Sequence, residues 1–152
     1  MKQIKNLTLA LAFTVFSTVS LADVGPDDVP FDGSMQVTES ISGKAGDAAE
    51  GRKVFANRKL GNCLACHVAS DQSDQLFHGE VGPSLDGVAS RYPEGLLRTL
   101  VINAKKVFSE STVMPAFYSN EVGERVAEKF KGKTILTAQQ VEDVVAYLMT
   151  FK

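Results

Sequence analysis

A chain of 152 residues with 16 basic and 18 acidic side chains has the length of one domain and almost no net charge. That balance excludes a polycationic nucleic-acid binder and gives no reason for adhesion to an anionic membrane. A mildly acidic surface is mainly a solubility feature.

The chain opens like a secretory signal peptide. Lys2 and Lys5 form a basic start, residues 7–19 are uncharged, and Ser20-Leu21-Ala22 supplies small residues three and one positions before a cut. The apolar run is too short, and too rich in Thr and Ser, for a membrane-spanning helix of roughly 20 apolar residues. No cysteine lies near the cut to carry a lipid. Cleavage is expected after Ala22, leaving a chain that is free of the membrane and destined for the periplasm. Loss of Lys2 and Lys5 reduces the 16 basic residues to 14 against 18 acidic ones, a formal charge of −4.

Residues 23–46 read as an extended leader. Gly25, Pro26, Pro30, Gly33, Gly43 and Gly46 break any helical period, and few large apolar side chains are on hand to fix it. It is expected to wrap the domain, to lie on a partner, or to move freely. A domain over residues 47–152 follows. Its first helix is expected over Asp47 to Ala56, with Asp47 as N-cap and Glu50 as the reciprocal cap three residues on. Gly51, Val54 and Phe55 fall on its inward face.

Leu60-Gly61-Asn62 ends that helix and leads into Cys63-Leu64-Ala65-Cys66-His67. Residues 70–90 are loop-rich and include the stiff segment Val81-Gly82-Pro83-Ser84-Leu85. A second helix is expected from about Pro93, with Leu96, Leu97, Leu100 and Val101 as its apolar stripe. Residues 109–120 form another loop, around Met114-Pro115, and a short polar helix is possible over 122–130. The last helix is the clearest: Thr137 and Gln140 make a capping box, and Val141, Val144, Val145 and Leu148 mark one face, which Tyr147 and Met149 widen. No segment alternates like a strand. The domain therefore reads as all-α, with long loops that need something to pack against.

The Cys-x-x-Cys-His run supplies that something. In such a run two thiols add across the vinyl groups of a haem, and the adjacent imidazole binds the iron. One helical turn sets both sulfurs along one porphyrin edge, with the histidine beneath the ring. A covalent haem c, one per chain, also suits an exported protein, which would lose a dissociable cofactor by dilution. The alternatives fit less well. A thioredoxin-like pair wants a βαβ context, a zinc site needs four ligands where only His78 would follow Cys63, Cys66 and His67, and a disulfide would close a small strained loop.

On the far side of the iron, Met114 is the candidate ligand. It sits in a loop 47 residues past His67, stiffened by Pro115. A buried methionine packed on the porphyrin edge is the competing reading. Met35 lies in the leader, Met149 reads as core filler, and His78 reads as a solvated loop residue. Thioether opposite imidazole raises the reduction potential and suits electron transfer.

Residues 46–55 and 58–67, then Val81 to Leu85, residues 112–118 and residues 136–148, together resemble the SoxX family, the monohaem cytochrome c subunits of SoxAX complexes. The likeness covers roughly residues 43–151. It rests on the Gly-Asn-Cys-Leu-Ala-Cys-His phrase and the Met-Pro-Ala-Phe-Tyr phrase in this order, and is weakest in the leader and over residues 68–80. The resemblance implies a cytochrome c fold in which the first and last helices cross, Gly51 and Phe55 meeting the Tyr147 region. It implies Cys63 and Cys66 as haem attachment points, His67 and Met114 as axial ligands, and Pro83 as acceptor for the ring N–H of His67, with Leu85 among the cofactor-binding residues. It further implies SoxA as partner, the SoxYZ carrier as the protein whose cysteine is joined to thiosulfate, and a downstream electron acceptor. The bond-forming site is then expected on SoxA, with this chain removing electrons. A free-standing periplasmic electron shuttle is the alternative. Peroxidase-like chemistry would need an open iron position, which Met114 would close.

Overall fold

Among the described residues four α-helices form: α1 (Ala48–Ala56), α2 (Val88–Arg91), α3 (Glu94–Asn103) and α4 (Ala138–Leu148), with 3-10 turns between them. The computed structural model describes residues 22–31, 33–121 and 123–152, and no strand occurs among them. All of the expected signal segment but Ala22 lies outside the described residues.

Capping explains where the two crossing helices start. The carboxylate of Asp47 accepts from Ala49 N (2.8 Å) and Glu50 N (3.2 Å), as expected. The reciprocal bond from Glu50 does not form. Asp143 on α4 takes the Asp47 N–H instead (2.9 Å), and Glu50 pairs with Lys53. A tertiary partner has displaced the local one. At α4 the capping box is complete: Gln140 N donates to Thr137 Oγ1 (3.2 Å) and Thr137 N to Gln140 Oε1 (3.0 Å).

α1 and α4 cross with their backbones nearly touching. A Cβ on Gly51 would stand 1.9 Å from the carbonyl oxygen of Asp143 and 2.8 Å from the Cβ of Tyr147, so only glycine fits. Beside that crossing Phe55, Tyr147 and Phe151 pack edge to face, with centroids 4.8–6.3 Å apart. α3 lies against α4 and buries Leu97, Val101 and Ile102 in the same core.

The stretch 70–90 is loop-rich, as expected, with a 3-10 turn at Ser70–Gln72 and the start of α2 at its end around the buried Val88. The stretch 122–130 departs from expectation. Over 122–130 only a 3-10 turn, Glu128–Phe130, appears; its residues are all exposed, so nothing packs to extend it, and Val122 lies outside the described residues.

The leader residues are tied to the domain by polar contacts. Val37 and Ile41 are buried in the core. Val37 N donates to Thr99 Oγ1 (2.9 Å) and Ile41 N to Glu142 Oε1 (2.9 Å). Arg98, only 4% exposed, donates to Glu142 (3.0 Å), to Val37 O (2.9 Å) and to Thr38 O (3.2 Å), and it also pairs with Glu94. Tyr118 donates its hydroxyl to Val24 O (2.7 Å).

Candidate functional site

After α1 the chain turns on Asn57, whose carbonyl accepts from Leu60 N and Asn62 N. Asn62 takes a left-handed conformation (φ 49°), which starts the 3-10 turn Cys63–Ala65. Cys66 N and His67 N both bond to Cys63 O (3.1 and 3.0 Å), so the two thiols and the imidazole issue from one tight turn. The thiols are not joined to each other. Burial pushes the Cys63 thiol up to about 12.

A second strip of chain lies alongside this turn. Gly79 N donates to Leu64 O (2.7 Å), Gly82 N to Cys66 O (2.8 Å) and Leu85 N to Val68 O (2.9 Å). Between the last two bonds sits the contact of His67 Nδ1 with Pro83 O (2.7 Å). A carbonyl only accepts, so Nδ1 carries the proton and Nε2 keeps its lone pair, the tautomer a metal ligand needs. Gly82 makes room for the ring, because a Cβ there would stand 2.3 Å from His67 Cε1. Asp86 closes the strip by accepting from Ser70 N (2.8 Å) and Ser70 Oγ (2.7 Å), bonds that hold its carboxyl below the usual range. Arg91 pins the same stretch through Ser84 O (2.9 Å) and Asp86 O (2.6 Å).

Met114 reaches the site from the other loop. Past it, Leu136 N bonds to Phe117 O (2.9 Å) and Tyr118 N to Ile102 O (3.1 Å). Ahead of it, Lys105 Nζ donates to Glu110 O (2.9 Å) and Thr112 O (2.6 Å).

Cys63, Cys66, His67, Pro83, Leu85 and Met114 all line one cavity of about 670 Å³. The rest of its wall is largely aliphatic and aromatic, and its size falls in the roughly 300–1,000 Å³ range of small-molecule and cofactor sites. All six residues singled out in the sequence thus meet at one place. His78 does not join them as a ligand: Ala69 N donates to its Nδ1 (3.3 Å) and its Nε2 contacts Gln72 O (3.0 Å). It is a half-buried loop brace rather than a freely solvated side chain. Among the described residues no group of three or more His, Cys, Asp or Glu converges as a site for a bare metal ion.

Asp86, Arg91 and Lys105 were not marked by the sequence as parts of this site. Asp86 and Arg91 lie close to the Pro83 segment in sequence, but their partners are backbone groups that no motif names. Lys105 belongs to no motif, and its partners too are backbone carbonyls.

Comparison with known proteins fits this geometry. A family model for cytochrome c matches residues 48–152. In the crystal structure of SoxXA from P. pantotrophus, one chain is 40% identical with a TM-score of 0.78, the match covering 86% of this chain and 99% of that one. No curated protein matches. The chain belongs to the cytochrome c family. Within that family it is a cytochrome of the SoxX type.

Membership implies covalently bound haem c, and the cavity suits it. Two unpaired thiols, an imidazole with a free Nε2 and a thioether surround an apolar space, the donor set that such a group requires.

Proposed function

We propose that this chain holds one haem c through thioether bonds to Cys63 and Cys66, with His67 and Met114 as axial ligands. We further propose that it works as the electron-transfer subunit of a SoxXA-type complex in the periplasm, with SoxA as its partner. The complex would join thiosulfate oxidatively to a cysteine of the SoxYZ carrier, and this chain would pass the electrons to a downstream acceptor. The observation that carries the reading is the convergence of the two thiols, the imidazole and the thioether on one cavity. The 40% identity across 99% of a chain of the SoxXA structure supports the particular complex.

When bound, the haem would supply a one-electron ferric–ferrous couple, and ligation by the Met114 thioether together with the His67 imidazole would raise its potential. The protein's share is orientation and exclusion of water. Pro83 O keeps the proton on Nδ1 of His67 and fixes the ring plane. Leu85, Leu97, Leu100, Val101, Val144 and Leu148 give the cavity an apolar wall that lowers the local dielectric. Val81, Phe108 and Val113 also line the cavity yet stay 71%, 63% and 77% exposed, an apolar rim of the kind that a redox partner covers.

The test uses protein matured with haem. Its mass should show one haem that survives denaturation and a chain starting at Asp23. Mixed with SoxA, SoxYZ and thiosulfate, its haem should become reduced. Haem that stays oxidised in the complete mixture, although chemical reductants reduce it, would reject the complex and leave a free-standing shuttle. Absence of bound haem would reject the site.

A further inference from the structure

Met114 hangs between two anchors. Behind it, Phe117 and Tyr118 bond to Leu136 and Ile102. Ahead of it, the turn 109–112 closes on itself through Thr112 N to Ser109 O (3.0 Å) and Ser109 N to Thr112 Oγ1 (3.3 Å). Among the described residues, no backbone N–H of residues 113–116 enters a backbone hydrogen bond. Val113 and Pro115 are exposed, so packing holds the loop weakly on both sides of the methionine.

Among the described residues, the side chain that hydrogen-bonds the forward anchor to the end of α3 is that of Lys105. Lys105 sits in the 3-10 turn Ala104–Lys106 that extends α3, and Asn103 Oδ1 caps this turn by accepting from Lys105 N (3.1 Å). From that fixed base the half-buried ammonium spans to two carbonyls of the loop, Glu110 O at 2.9 Å and Thr112 O at 2.6 Å. An ammonium has three donors and no acceptor, so two loop carbonyls can share it without competing. Hydrogen bonds to a charged donor are among the stronger ones in proteins. The neighbouring Lys106 is exposed and forms no such bridge.

We infer that Lys105 is the positioning residue for Met114: its ammonium staples the 109–113 loop to the end of α3 and so keeps the thioether at the cavity. The inference rests on the proposed ligation by Met114. It assigns to a lysine that never touches the cofactor the strength with which the sulfur holds its place.

The experiment compares Lys105→Met, Lys105→Arg, Lys106→Met and Met114→Ala in full-length protein matured with haem. Three quantities are read: the sulfur-to-iron charge-transfer band, the reduction potential, and the affinity for added imidazole, which competes with the thioether. Lys105→Met should weaken the band, shift the potential down, and bind imidazole about tenfold more tightly, the low end of what loss of an outer partner costs a metal site. Lys105→Arg should recover most of the band, because a guanidinium can also reach two carbonyls. Lys106→Met removes the same charge from the next position and should leave all three quantities at their wild-type values. If Lys105→Met yields too little protein, Lys105→Gln, which keeps a donor on a shorter stem, should show the same changes in smaller degree.

Lys105→Met and Lys106→Met behaving alike would overturn the staple and leave only an effect of charge. Met114→Ala separates the two levels. If it erases the band while Lys105→Met changes nothing, the positioning role fails and the ligation stands. If Met114→Ala leaves the spectrum untouched, ligation by Met114 fails and the role of Lys105 falls with it.

Discussion

Where residues 37–41 meet α3 and α4, the protein satisfies itself. Arg98 and Glu142 are 4% and 3% exposed, and their charges are matched by each other, by Glu94 and by leader backbone at Val37, Thr38 and Ile41. Around the cavity the situation is reversed. Cys63, His67 and Met114 share an apolar space of about 670 Å³ with leucines and valines. A haem c bound there would supply dispersion contacts to that apolar lining. One region is therefore held together by contacts within the chain, while the other is completed by what the chain binds. Covalent attachment makes the second arrangement workable, because the filling group cannot leave.

The largest expected effect breaks the cavity region. Cys63→Ser/Cys66→Ser removes both proposed attachment points, and the cost should consume most of the roughly 5–15 kcal/mol that stabilises a typical domain. Thermal melting should lose its cooperative transition, and amide NMR signals from α3 and the 109–120 loop should collapse. A haem-free variant that melts sharply with native-like dispersion would refute the dependence of this region on its cofactor.

The next effect breaks the self-contained region. Arg98→Met leaves Glu142 buried without its partner, which should cost about 3–5 kcal/mol in urea unfolding. Hydrogen exchange at Val37 and Ile41 should accelerate in that variant, while a bound haem keeps its spectrum. Adding Glu142→Gln should recover part of the loss, since the stranded charge goes with it. Equal destabilisation in the single and double variants would show that the bonds from Arg98 to the leader carbonyls matter more than the ion pair.

What the sequence made legible follows the range of the interactions. The Thr137–Gln140 capping box, the Asp47 cap and the Cys-x-x-Cys-His turn are complete within a few residues, and each stands where the pattern puts it. Met114 was legible only as a methionine–proline pair in a loop of suitable distance. The leader carried too few apolar residues to announce Val37 and Ile41 as core, and the groups that secure them are 61 and 101 residues away at Arg98 and Glu142. Glu50 shows the same limit from the other direction: its local partner was legible, but Asp143, 96 residues on from Asp47, took the bond. Lys105 looked like any surface lysine because its partners are carbonyls, which every sequence has everywhere.

Smaller effects sharpen the comparison at the helix crossing, which adjoins both regions. Gly51→Ala places a methyl 1.9 Å from Asp143 O, so the helices must separate, at a cost of about 1–3 kcal/mol. Since Phe55 lies beside this contact and also lines the cavity, the haem spectrum should shift slightly along with the melting temperature. A stability loss with no spectral change would show that the crossing and the cavity are mechanically separate.

The smallest expected effect is at Tyr147, whose hydroxyl donates to the carboxylate of Asp71. Burial, and then the bond to Asp71, push this phenol well above its ordinary value. A raised value in the folded chain means that its contribution is fully present below the unfolded value of about 10 and fades as pH rises toward the folded one. Tyr147→Phe keeps the ring against Phe55 and Phe151 but loses the hydrogen bond, so it should cost about 1 kcal/mol at neutral pH. Above about pH 10 the unfolded wild type ionises this phenol and the variant has none to ionise, so the gap between the two unfolding curves should narrow. A gap that stays constant from neutral to strongly alkaline pH would mean that the phenol titrates alike in the folded and unfolded chains, and that the bond to Asp71 adds nothing to this junction.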